Sequence, residues 1–115
     1  MKGFYRLLFI LTLLFQFNAN AQITPSPVKN SKVIVIYGSP DCHYCIDLKK
    51  TLVDKNKDFV FYDIDTNKVA LNEMLTKLSR AKISTTNLQI PVVDKYGVMY
   101  VNSANFKDFV EKIVE

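Results

Sequence analysis

Val33-Ile34-Val35-Ile36-Tyr37 is apolar throughout, rich in β-branched residues, and stopped by Gly38. A strand with one wet face alternates polar and apolar residues. A run without alternation fits a strand covered on both faces. In a chain of 115 residues, such a strand calls for a central sheet with helices packed on its two sides, an α/β arrangement.

The rest of the chain supplies the partners. Gly38-Ser39-Pro40 breaks the strand, and Asp41 is placed to cap a helix from about Cys42 to Val53. That helix would set Cys45, Leu48 and Leu52 on one side and Lys49 and Lys50 on another, a solvated one. Phe59 to Ile64 reads as a second strand, ended by Asp65-Thr66-Asn67, with Tyr37, Phe59, Phe61 and Tyr62 as core and sheet-face aromatics. Lys68 to Arg80 reads as a second helix with Leu71, Met74, Leu75 and Leu78 inward. Ile90-Pro91-Val92-Val93, the turn Asp94-Lys95-Tyr96-Gly97 and Val98 to Val101 form a hairpin. Phe106, Phe109, Val110, Ile113 and Val114 then mark an amphipathic terminal helix with Ser103 as its cap. The order is β-α-β-α-β-β-α, a four-stranded mixed sheet flanked by three helices. Its first two strands are parallel through a right-handed crossover and its last two antiparallel.

The N-terminus follows a different pattern. Met1 to Arg6 carries Lys2 and Arg6 with no acid, Leu7 to Phe17 is mostly apolar, and Ala19-Asn20-Ala21 is a small-x-small triplet. Basic end, greasy middle and small-residue site describe a secretory signal peptide over residues 1–21. The apolar run is too short for a membrane span, which needs roughly 20 residues. An uncleaved anchor is the alternative, and no cysteine follows for lipid attachment. Cleavage near Ala21 would leave an exposed lead-in over 22–31 and one domain over 32–115, periplasmic or secreted. The formal charge would drop from +4 to +2, because Lys2 and Arg6 leave with the peptide. So small a charge, spread over the surface, gives no nucleic-acid footprint. Repeats and low-complexity tracts are lacking.

The chain's two cysteines fall together in Cys42-His43-Tyr44-Cys45. As a structural staple the pair would do little, since entropic stabilisation rises with loop length and this loop is tiny. As a zinc site it lacks ligands. A closed site takes four, and the chain's one histidine, His43, is wedged between the cysteines. Small copper carriers also place CxxC after a first strand, but they show Met two residues before it, where Pro40 stands, and a different element order. Redox chemistry uses every local feature. The first turn of a helix presents unpaired N–H groups and the positive end of its dipole, which stabilise a thiolate at Cys42. Cys45, one turn in and facing the core, can resolve a mixed disulfide formed at Cys42. His43 would tune the thiolate when protonated, and Asp41 would oppose it.

The strand Val33–Tyr37, the loop Gly38-Ser39-Pro40-Asp41 and the CxxC opening a helix together resemble the thioredoxin superfamily. The length and Tyr44 before the second cysteine resemble its glutaredoxin branch most. Ile90-Pro91 stands where that superfamily keeps a cis peptide bond beside the sulfurs, and the resemblance implies that the Ile90 backbone and Tyr44 face an incoming substrate. It also implies a thiol–disulfide oxidoreductase whose redox-active disulfide is Cys42–Cys45, with no cofactor and no metal.

Several departures bear on partners. His43 replaces the usual proline, and Ser39-Pro40-Asp41 lacks the basic residue of a glutathione site. Asn102-Ser103-Ala104-Asn105 replaces a Gly-Gly turn. These put glutathione binding in doubt. The expected substrates are thiol or disulfide forms of exported proteins, or small thiols, and a membrane electron donor or acceptor is one candidate redox partner. The superfamily's buried acid six residues before the first cysteine is Ile36 here, and the chain has no tryptophan. The expectation is an exported monomeric enzyme. Beside it stand two alternatives, a metal carrier and a non-catalytic interaction module of the same fold.

Overall fold

The computed structural model describes residues 32–103 and 105–115. The proposed signal peptide and lead-in lie outside them. The elements are β1 (Ile34–Gly38), α1 (His43–Asp54), β2 (Phe59–Asp63), α2 (Lys68–Arg80), β3 (Val92–Lys95), β4 (Val98–Val101) and α3 (Phe106–Val114). The sheet runs β2-β1-β3-β4. β1 pairs parallel with β2, with Ile36 opposite Phe61, and antiparallel with β3, with Ile36 opposite Val93. β3 and β4 close an antiparallel hairpin. This is the thioredoxin-like order expected from the sequence.

The unbroken apolar run of β1 is explained by what covers it. Ile34 and Ile36 pack with Val93 of β3 against Leu48 and Leu52 of α1 and Phe109 and Ile113 of α3. Tyr37 points the other way, with Val92, into a second cluster built on Ala70, Met74 and Leu78 of α2. Alternate residues thus serve two cores, as the pleat requires. α1 and α3 cover one face of the sheet and α2 the other. Phe59 and Phe61 join the first cluster and Tyr62 the second.

Three local expectations need correction. Asp41 does not cap α1. Cys42 N–H donates to the Ser39 carbonyl at 3.2 Å, closing a turn with Pro40 and Asp41 at its centre. The helix therefore starts one residue later, and Cys42 becomes its cap. Ser103 does not cap α3. Asn105 does, its Oδ1 accepting from Asp108 N–H at 3.3 Å, because Ser103 stands too far upstream of the first helical turn. On α2, Leu75 is exposed, and Ala70 joins Met74 and Leu78 in the core.

Polar contacts tie α2 to the sheet. Lys77 Nζ donates to the Tyr37 hydroxyl at 2.8 Å and to Asp94 Oδ2 at 2.7 Å, and lies 3.2 Å from Glu73. Nor is Lys49 simply solvated. It is half-buried, with Nζ 4.1 Å from the centre of the Phe61 ring, whereas Lys50 is exposed.

Candidate active site

The site lies where β1 ends and α1 begins. Cys42, partly exposed, caps the helix with its own sulfur, and Sγ accepts the Cys45 backbone N–H at 3.2 Å. The atom that caps the helix is thus the one the sequence marks as the expected nucleophile. Cys45 is fully buried. Gly38 makes room for it, since a Cβ at Gly38 would collide with Cys45 Sγ and press on the Phe61 ring. Both cysteines are free thiols here.

Burial is the main cause pushing the Cys45 thiol up, to about 12, and its hydrogen bond and charge interaction with Cys42 add to it. The Ser39 backbone N–H and the Lys49 charge pull in the opposite direction. The two sulfurs are thus unequal.

The structure also brings in the second region read from the sequence. The Ile90–Pro91 peptide is cis, as expected, and Pro91 is buried. The Ile90 carbonyl lies 3.9 Å from Cys42 Sγ. Tyr44 is 45% exposed, with its ring centre 4.5 Å from that of Phe106. His43 and Asp41 are placed less intimately. The His43 side chain is 83% exposed and its Nε2 lies 3.2 Å from Asp47, one helical turn on. Among the described residues, no hydrogen bond joins His43 or Asp41 to the Cys42 sulfur.

Sequence reasoning missed two residues. Asn102 was seen only as a departure from a Gly-Gly turn. It is buried, and its Nδ2 donates to the Ile90 carbonyl at 3.4 Å. Gly38 was read only as a strand stop. Among the described residues, no group of three or more His, Cys, Asp or Glu is arranged to hold a metal ion.

A four-stranded mixed sheet with a dithiol at the start of its first helix and a cis proline beside it defines a thioredoxin-like redox domain. The family model for glutaredoxin matches residues 34–94, more than half of the chain. The protein belongs to the glutaredoxin family. Among solved structures, it is similar to a thioredoxin-like protein, BC3987, crystallised as a point mutant. Identity is 24% over 62% of this chain and 81% of that one, with a TM-score of 0.48. No curated protein matches. Family and CxxC pair together point to thiol–disulfide redox chemistry.

Proposed function

We propose that the protein is an exported thiol–disulfide oxidoreductase acting on proteins, with Cys42 as nucleophile and Cys45 as resolving thiol. One observation carries the reading: the partly exposed Cys42 sulfur caps α1 and receives the Cys45 N–H at 3.2 Å, while Cys45 is buried behind it. In the reducing direction the Cys42 thiolate attacks one sulfur of a substrate disulfide, and the other leaves as a thiolate. Cys45 gives up its proton and attacks Cys42, displacing the second substrate sulfur. The substrate gains two electrons and two protons, and the enzyme is left with a Cys42–Cys45 disulfide. The reverse sequence inserts a disulfide.

Export is supported by the order of residues 1–21. Protein substrates are supported by the Tyr44–Phe106 aromatic surface beside the sulfur and by the Ile90 backbone facing it. The absence of a basic residue in Ser39-Pro40-Asp41 argues against glutathione as the principal ligand. A membrane partner would set the direction of electron flow.

Exchange with a disulfide-bonded protein such as insulin tests the reading. Cys42→Ser abolishes it, and Cys45→Ser accumulates mixed disulfides that gels without reductant reveal. Full activity in the Cys42 variant would refute the assignment.

A further inference from the structure

The Ile90 carbonyl is approached by two donors, the Cys42 thiol at 3.9 Å and Asn102 Nδ2 at 3.4 Å. Asn102 follows β4 directly, is 6% exposed, and its Oδ1 has no hydrogen-bond partner among the described residues. A buried amide left half-satisfied costs stability that an apolar residue of the same shape would not. Such a residue, sharing one carbonyl with the Cys42 sulfur, calls for a use there.

We infer that Asn102 is a positioning residue for the reaction proposed above: by holding the Ile90 carbonyl, it allows Cys42 to release its proton. As a thiol, Cys42 can donate to that oxygen. As a thiolate, formed when the proton passes to solvent, it has no hydrogen to give, and its negative charge faces the negative end of a carbonyl. The Asn102 N–H keeps the oxygen hydrogen-bonded in both states and opposes that negative end. Without it, the Cys42 S–H is the carbonyl's remaining side-chain donor, and the thiol form gains. The effect acts through Ile90, and Asn102 need not touch the substrate.

This rests on Cys42 being the nucleophile, so the test counts Cys42 alone. In a Cys45→Ser background, the rate of Cys42 alkylation by iodoacetamide at pH 7 is compared for Asn102, Asn102→Leu and Asn102→Ala, with folding checked by circular dichroism. Both variants lose the donor but differ in volume. The expected result is a similar fall in both, about fivefold, the worth of one modest hydrogen bond. Unchanged alkylation in both variants overturns the inference. A loss confined to one of them marks a packing effect and overturns it as well. Failure of wild-type protein to exchange disulfides would instead remove the proposed function, which the insulin assay reads separately.

Discussion

At the scale of single residues, the site depends on an atom that is missing. Gly38 lacks the Cβ that would strike Cys45 Sγ, and a second neighbour, the Phe61 ring, blocks retreat at 3.1 Å. Cys45 sits in the core and has no flexible stem along which to yield. Gly38→Ala should therefore act on Cys45, the proposed resolving thiol. Overpacking of this kind costs about 1–3 kcal/mol, read as a lower urea midpoint. The functional mark is more specific. Cys42 still attacks, Cys45 is displaced, and mixed disulfides accumulate in a protein that retains both cysteines. Mass spectrometry of the trapped species measures this, and resolution at the wild-type rate would contradict it. The same residue shows what a sequence conceals. Gly38 is legible as the end of a strand, but not the sulfur that will arrive from seven residues later.

The elements were more legible than their ends. The apolar run of β1, the three-and-four spacing of Leu71, Met74 and Leu78, and the stripe from Phe106 to Val114 each reflect burial that the structure carries out. The caps shifted because capping depends on where a preceding turn ends. The Ser39–Cys42 turn delayed α1 by one residue and so made a cysteine the cap. That the pair sits at the start of the first helix could be read from the sequence. The contact of Asn102 with the Ile90 carbonyl could not, because it joins residues twelve apart across the β3–β4 hairpin. Lys77 could have been found, since it lies seven positions from Ala70 and thus on nearly the same face of α2. The hairpin offers an element-scale prediction. Tyr96 and Gly97 both have positive φ, 55° and 93°, the pattern that favours Asn-Gly. Tyr96 pays a left-handed penalty of about 1–2 kcal/mol, which Asn, at ease in that region, reduces. Tyr96→Asn also gives up an exposed contact with Lys95, 5.9 Å from the ring centre, worth about 0.5 kcal/mol. The net expectation is a gain of about 0.5 kcal/mol in urea unfolding, with disulfide exchange unchanged. A loss of stability would show that the turn is held by the ring.

Across the whole molecule, the two faces of the sheet hold their protons in the same sense. On the α1 face, burial and Cys42 push the Cys45 thiol up to about 12. On the α2 face, burial raises the Tyr37 hydroxyl against the opposing pull of Lys77. Burial by itself would lower Lys77, but its hydrogen bonds to Asp94, Tyr37 and Glu73 more than reverse this, so it too is raised. A group held above its unfolded value contributes stability that is complete below the unfolded value and is lost as pH climbs through the folded one. All three therefore act in one direction, and Cys45 acts first, because its ordinary value of 9.0 lies lowest. The reduced protein should hold its stability up to about pH 8. It should then lose it across the interval from 9.0 to about 12, at no more than about 1.4 kcal/mol per pH unit for each proton. Locking the pair as a disulfide removes the Cys45 thiol from both folded and unfolded states, and with it the earliest part of the decline. Urea midpoints at pH 8, 10 and 11 for the reduced and oxidised forms measure the difference. The oxidised curve should stay flat further into the alkaline range, and its remaining fall then belongs to Tyr37 and Lys77. Parallel curves for the two forms would mean that Cys45 carries no such linkage, and that the inequality of the two sulfurs lies in exposure alone.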